Sequence, residues 1–208
     1  MILYVARHGE TDWNHEGRYQ GQRESHLTAT GSAQAQALAD ALAVVGVERI
    51  VSSPLARCRD TALPLARETS VAVEIDPRLI EIAHGTWEGR LRSEIEHDDP
   101  QTMRAWRRHP ETVQFAGGES LAQVMERWRT FARSLTDDNV VVVVTHDVLV
   151  RLALLDATER PLSHLWEPRV VNGGYAKFGV ENGRLRVIDE CVDTHLEGLL
   201  VSTERQAL

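Results

Sequence analysis

The hydrophobic pattern of the chain predicts strands and helices that alternate for most of its length. Short apolar runs indicate buried strands, and the run of valines at 140–144 is the type that a central parallel strand, covered on both faces, requires. Asn182-Gly183 lies between the last two apolar runs and is typical of a tight hairpin turn. The predicted strands cover residues 2–6, 49–52, 71–75, 140–144, 175–180 and 185–188.

Local capping signals predict where the helices begin and end. Thr28 is expected to cap a helix that Gly46 ends. Ser53 followed by Pro54 predicts the N-cap and first residue of a helix that runs to about Arg67. The other predicted helices lie at 91–108, broken at Pro100; after the capping box of Ser120 and Gln123; and from Asp147 to about Asp156.

This order of elements predicts an α/β fold. Alternating strands and helices that end in a hairpin are typical of a three-layer α/β/α sandwich with a mostly parallel sheet and an antiparallel edge. The chain shows no repeat, low-complexity tract or linker. We therefore expect a single domain over residues 1–208.

Composition and charge exclude several classes of protein. The chain has 23 Lys and Arg against 31 Asp and Glu, a net charge of −8, which argues against a nucleic-acid binder. The longest apolar run is about six residues, far below the ~20 that span a bilayer, so no membrane partner is expected. The N-terminus lacks the features of a signal peptide, which predicts a cytoplasmic protein. Cys58 and Cys191 are interpreted as ordinary thiols, with no spacing typical of a metal site.

Candidate chemistry lies where the strands end. Ligands of open α/β sheets bind beyond the carboxyl ends of the strands, so residues that follow different strands meet at one edge. The strand ends supply Arg7 and His8 after the first strand, Arg57 in the helix after the second, Glu81 after the third and His146 after the valine strand.

These side chains suit phosphoryl transfer. The guanidinium groups of Arg7 and Arg57, beside a helix N-terminus, form a site for a tetrahedral oxyanion. A neutral imidazole such as His8 is a nucleophile toward phosphorus, and His146 can hydrogen-bond the equatorial oxygens. Glu81 can protonate the alkoxide leaving group. The sequence predicts a phosphohistidine intermediate, with a small phosphorylated substrate and with neither metal nor cofactor.

The chain resembles the histidine phosphatase superfamily, also called the phosphoglycerate-mutase-like family. The likeness extends from residue 2 to about residue 152, and its segments follow the family's order. They are VARHGETDWN (5–14), GRYQG (17–21), LTATG (27–31), SSPLAR (52–57), EIAHGTWEG (81–89), GGES (117–120) and VTH (144–146).

The resemblance implies a role for each matching residue. His8 is then the phosphorylated nucleophile, Glu81 the proton donor, and Arg7, Arg57 and His146 the phosphate pocket. Asn14 would lie near the phosphate, and Gln20-Gly21 would edge the substrate entrance. Glu88 in the same loop is the alternative proton donor.

The chain departs from the family pattern at two positions. His26 stands where the family often has Pro, on a loop at the edge of the pocket, and Asp147 stands where Gly is common. Asp147 is interpreted as an N-cap, with a hydrogen bond to an imidazole as the alternative. His84 is interpreted as an exposed loop residue.

A short cap insertion at about 90–117 resembles the phosphatase branch of the family, because mutases tend to carry a longer one. The chain is therefore predicted to be a histidine acid-type phosphatase, a phosphomonoester hydrolase. The alternative is a cofactor-dependent phosphoglycerate mutase-type phosphotransferase. A catalytically silent phospho-ligand-binding protein ranks lower, because all five candidate catalytic residues are present.

Overall fold

The computed structural model describes residues 1–135, 140–181, 184–203 and 206–207. Its strands form one six-stranded sheet in the described part of the chain. They are β1 (Ile2–Arg7), β2 (Arg49–Ser52), β3 (Val73–Ile75), β4 (Val140–Thr145), β5 (Tyr175–Glu181) and β6 (Arg184–Val192). The order across the sheet is β3-β2-β4-β1-β5-β6. The first four strands are parallel, and β5 and β6 pair antiparallel at one side, which confirms the predicted fold class.

The valine strand occupies the interior of the sheet, between β2 and β1. Val141 and Val143 pack into the core on one face, whereas Val142 and Val144 pack into the core on the other. All four are fully buried. A strand whose two faces are both covered must be apolar at every position, which explains the unbroken run.

Helices cover both faces and complete the predicted three layers. They are α1 (Asp12–Glu16), α2 (Ala29–Leu42), α3 (Ala56–Thr69), α4 (Arg92–Asp98), α5 (Pro100–Arg108), α6 (Leu121–Arg133) and α7 (Asp147–Ala157). Leu42 of α2 and Leu65 of α3 pack on one face of the sheet, and Trp128 of α6 and Leu149 of α7 pack on the other. No helix in the described ranges is both long and apolar enough to cross a membrane.

Several local predictions need correction. Helix α3 begins at Ala56 with Leu55 as its N-cap, so Ser53 does not cap it. The N-cap of α7 is His146, and Asp147 is instead the first helical residue. The short helix α1 was not predicted, although a Thr11–Asn14 capping box marks its start. The proposed turn at 182–183 lies outside the described residues.

Two short helices, α4 and α5, form the segment that the sequence predicts to be a cap insertion. Helices α4 and α5 meet at Pro100, as predicted, and Asp99 caps α5 by accepting from the amide of Thr102. The same carboxylate accepts from the indole of Trp87 at 3.1 Å, which ties the cap to the loop that follows Glu81.

Candidate active site

The carboxyl ends of β1, β2 and β4 bring the two candidate histidines together. Arg7 ends β1 opposite Thr145 of β4, so His8 and His146 leave adjacent parallel strands at the same level. Their ring centroids are 5.3 Å apart and both residues are buried. The prediction that strand ends would gather these side chains is therefore correct.

The backbone fixes the tautomer of His8. Nδ1 lies 2.7 Å from the carbonyl oxygen of Gly9. A carbonyl oxygen only accepts, so Nδ1 carries the proton and Nε2 keeps its lone pair. Burial, with the nearby charges of Arg57 and Arg7, lowers the pKa of His8 well below 6.5. The imidazole is therefore neutral, and its free lone pair is at Nε2.

Gly9 allows this arrangement because of its close packing. A Cβ atom at this position would lie 2.4 Å from the carbonyl oxygen of Gly31 in the first turn of α2. A side chain here would therefore displace the backbone that orients His8.

Two buried arginines face the same cavity, and protein oxygens hold each of them. Arg57 donates from Nη1 to the carbonyl of Arg23 and from Nη2 to that of Gly21, both at 2.8 Å. Arg7 donates from Nη2 to Oε1 of Gln206 at 2.6 Å. Among the described residues, the Nε–H groups of Arg7 and Arg57 have no hydrogen-bond partner. These donors are available to an oxyanion.

His146 is oriented by side chains that follow β2. Its Nε2 lies 2.8 Å from Oγ of Ser53 and 3.4 Å from Sγ of Cys58. The Cys58 thiol also contacts the carbonyl of Thr145 at 3.3 Å, and burial raises its pKa, so it remains protonated. Ser53, predicted as a helix cap, instead positions the second histidine.

The carboxyl group of Glu81 has a raised pKa, as expected of a general acid. It is buried, and burial raises the pKa of its carboxyl group to about 7, although a hydrogen bond from the amide of Ile82 acts in the opposite direction. The alternative donor, Glu88, already accepts from the backbone amides of Gln22 and His84. Its carboxylate therefore stabilises the structure of the loops that contain Gln22 and His84.

The cavity also includes the residues predicted to edge the phosphate and the entrance. Asn14 is buried at the N-terminal turn of α1, and its Nδ2 donates to Oε1 of Gln206 at 3.3 Å. Gln20 accepts from the hydroxyl of Ser25 at 2.6 Å. The lining comprises Arg7, His8, Asn14, Gln20, Gly21, Arg57, Glu81, His84, Asp147, Val148 and Ala207.

The interpretation of His84 as an exposed loop residue is wrong. It is 4% exposed, it lines the cavity, and its ring packs against Tyr19, Trp106 and Phe115. Neither ring nitrogen has a hydrogen-bond partner in the described part of the chain. Burial, with the charge of Arg57, lowers the pKa of His84 to about 3, so the ring is neutral.

The residue after His84 lies in a tightly packed part of the loop. Gly85 has φ +56°, and a Cβ there would lie 2.1 Å from the carbonyl oxygen of Ala116. The loop therefore packs tightly against the Gly117-Gly118 segment.

Sequence reasoning missed two polar residues from the C-terminal part of the chain. Oε1 of Gln206 accepts from both Arg7 and Asn14, and its Nε2 donates to Oδ1 of Asn172 at 2.8 Å. The oxygen of Gln206 therefore contacts the donors that a phosphate oxygen would use. No motif marks either residue, because both approach the site through long-range packing alone.

Known proteins resemble this chain in sequence over much of its length. The family model described as "Histidine phosphatase superfamily (branch 1)" matches residues 3–193. A relative named "Phosphoserine phosphatase 1", from Hydrogenobacter thermophilus, is 34% identical over 206 residues, which is 98% of each chain. A "Glucosyl-3-phosphoglycerate phosphatase" from Mycobacterium tuberculosis is 37% identical over 161 residues, which is 71% of each chain.

Solved structures share the fold. The structure titled "Bacillus stearothermophilus YhfR" superposes with a TM-score of 0.90 at 31% identity and covers 94% of this chain and 98% of its own. The likeness thus includes the arrangement of the helices and strands over nearly the whole chain.

Proposed function

Because the chain belongs to the histidine phosphatase superfamily, we propose that it is a metal-independent phosphomonoester hydrolase that forms a phosphohistidine on His8. The observation that carries this proposal is the hydrogen bond from His8 Nδ1 to the Gly9 carbonyl. It leaves the Nε2 lone pair in a cavity that two guanidinium groups also line.

In the first step, Nε2 of His8 attacks phosphorus and the P–O bond to the leaving group breaks. Arg7, Arg57 and His146 stabilise the charge on the equatorial oxygens. The proton of the Glu81 carboxyl moves to the leaving oxygen and gives a neutral alcohol. The phosphorylated imidazole is cationic, and the Gly9 carbonyl that accepts from Nδ1 stabilises that charge.

In the second step, a water oxygen attacks the phosphohistidine and the P–N bond breaks. Glu81, now a carboxylate, takes a proton from the water and returns to its acid form. The products are inorganic phosphate and a neutral His8. A single carboxyl group with a pKa of about 7 serves both steps, because it exchanges its proton readily near neutral pH.

We propose a small phosphomonoester with a polar leaving group as substrate. The neutral His84 ring lines the cavity and can donate one hydrogen bond and accept another. Phosphoserine is the first candidate, because the relative that matches over nearly the whole chain carries that activity in its name.

The test is turnover combined with trapping of the intermediate. Purified protein is assayed for inorganic phosphate release from p-nitrophenyl phosphate and phosphoserine, and an acid-labile, base-stable phosphoenzyme is sought by rapid quench. His8→Ala is expected to abolish both signals. His97→Ala is the matched control, because the His97 side chain is 88% exposed on α4. Full activity in His8→Ala would reject the mechanism.

The same assay separates the alternatives. A mutase would return the phosphoryl group to an acceptor such as a phosphoglycerate, and inorganic phosphate would not accumulate. A silent binding protein would bind phosphate without any turnover. Phosphate release at a rate that exceeds transfer to added acceptor therefore supports the hydrolase.

A further inference from the structure

The carboxylate of Asp147 is buried in contact with two guanidinium groups that belong to different elements. Its Oδ1 lies 3.4 Å from Nη1 of Arg7, at the end of β1. Its Oδ2 accepts from Nε of Arg151 at 2.6 Å, and Oδ1 accepts from Nη2 of the same residue at 3.3 Å. The side chains are 1%, 2% and 8% exposed for Arg7, Asp147 and Arg151. An ion triad therefore joins β1 to the first two turns of α7.

The far end of this triad is anchored. Nη1 of Arg151 donates to the carbonyl oxygens of Leu165 and Pro168, and its guanidinium lies 5.1 Å from the ring centroid of Trp166. Segment 165–168 thus fixes the position of Arg151. Arg151 in turn fixes the carboxylate of Asp147, which contacts Arg7.

A purely stabilising role does not account for the triad. An i,i+4 pair of Asp147 and Arg151 would support the N-terminus of α7 without a third charge and without burial. Burying three charges adds a desolvation penalty that apolar side chains would avoid. A pair within one helix does not require the contact between Asp147 and Arg7. That contact lies at the cavity proposed to bind the phosphoryl group.

We propose that Asp147 is a positioning residue, which holds the Arg7 guanidinium in the orientation that receives the phosphoryl group. This inference rests on the proposed function. The charge of Asp147 is balanced by Arg151, so the positive charge of Arg7 remains available to the substrate. The Nε–H of Arg7, which has no partner among the described residues, is then directed by the Asp147 contact at Nη1 and the Gln206 contact at Nη2.

Asp147 has a second effect, on the proton of Glu81. Burial raises the pKa of Glu81, and the negative charge of Asp147 on α7 adds to that rise. Arg57 on α3 and Arg127 on α6 act in the opposite direction, and Arg7 on β1 also faces the carboxyl group. Loss of the Asp147 charge therefore lowers the pH at which Glu81 loses its proton.

The test uses Asp147→Asn, which keeps the shape and an acceptor oxygen but removes the charge. Binding of orthovanadate, a stand-in for the phosphoryl group in the transition state, is measured by calorimetry beside the melting temperature. We expect vanadate to bind about tenfold more weakly, because Arg7 loses its charged partner. We also expect the alkaline limb of the kcat/KM profile to move to lower pH. Asp147→Glu is expected to restore part of the affinity.

A second variant and a control separate orientation from charge. Arg151→Lys keeps the charge of the triad but loses the forked contact to Asp147, so vanadate affinity is expected to fall while the alkaline limb stays in place. Glu126→Gln removes an exposed partner of Arg133 on α6, and is expected to change neither quantity.

Three results would overturn the proposal. Unchanged vanadate affinity in Asp147→Asn with a lower melting temperature would reduce Asp147 to a structural role. Tighter binding would mean that its charge repels the anion. A wild-type protein that neither binds vanadate nor releases phosphate would remove the proposed function itself, and with it the role of Asp147, whereas the first two results leave that function intact.

Discussion

The hydroxyl of Ser53 is hydrogen-bonded to Nε2 of His146 at 2.8 Å, across 93 residues of sequence. The first side chain follows β2 and the second follows β4, and these strands are neighbours in the sheet. The hydroxyl therefore orients His146, which is fully buried beside His8. This relationship leads to a direct prediction.

Ser53→Ala is expected to lower kcat/KM about fivefold, because one hydrogen bond contributes about 1 kcal/mol. The fall should appear with both p-nitrophenyl phosphate and phosphoserine, since His146 acts on the phosphoryl group that they share. Steady-state kinetics measure it, with the exposed Ser32→Ala on α2 as control. An equal loss in the control would assign the effect to stability.

Glu81→Gln should lower kcat/KM for each substrate according to how much the leaving group of that substrate needs a proton. General acid catalysis contributes about 10²–10⁴-fold, so hydrolysis of phosphoserine should fall within that range. Hydrolysis of p-nitrophenyl phosphate should fall less, because p-nitrophenolate leaves without protonation. The comparison is made on kcat/KM, with Glu88→Gln as the matched control from the same loop.

Equal losses for the two substrates in Glu81→Gln would contradict the proton-donor role. Glu81 would then serve only to hold the pocket, and the acid would have to be sought elsewhere in the cavity.

The pH profile of kcat/KM should show one descending limb near neutral pH. Glu81 acts as an acid only while it holds its proton, and burial raises the pKa of its carboxyl group to about 7. The value of kcat/KM is therefore expected to decrease as pH rises through about 7. The pKa of His8 is well below 6.5, so its neutral form persists on the acid side of that limb.

Profiles corrected for substrate ionisation would measure this limb. It should disappear in Glu81→Gln, and a limb that persists unchanged in that variant would assign the titration to another group.

His84→Phe separates packing from substrate contact. Phenylalanine keeps an aromatic ring beside Tyr19, Trp106 and Phe115 but removes both ring nitrogens. The KM for phosphoserine is expected to rise about fivefold, the equivalent of one hydrogen bond, while that for p-nitrophenyl phosphate changes less. A variant with unchanged KM for both substrates would show that the ring only fills space.

Chelation should not affect the rate. The cavity contains the guanidinium groups of Arg7 and Arg57, which repel a cation, and the described residues contain no group of three metal-ligating side chains arranged around a common point. We expect equal turnover with EDTA and with added Mg²⁺ or Zn²⁺. Loss of activity in EDTA that a metal restores would contradict this prediction.

The sequence by itself determined the fold class and the candidate residues that lie at the ends of the parallel strands. Apolar runs marked the strands, and the carboxyl ends of parallel strands must share an edge, so the order of elements alone places Arg7, His8, Arg57 and His146 together. Glu81 was placed after the third strand by the same reasoning, and Asn14 came from the family resemblance and its order of segments. These inferences succeed because they depend on local pattern and on sheet topology.

Only the tertiary structure decided which partner each of these side chains has. Ser53 contacts His146, Asp147 bridges Arg7 to Arg151, and Gln206 reaches Arg7 from 199 residues away. Local rules assigned Ser53 and Asp147 to helix caps, since both residue types favour that position, but the packing of neighbouring strands offered each a buried partner instead. Contacts between distant segments depend on how loops and helices close over the sheet, and no short-range pattern encodes that closure.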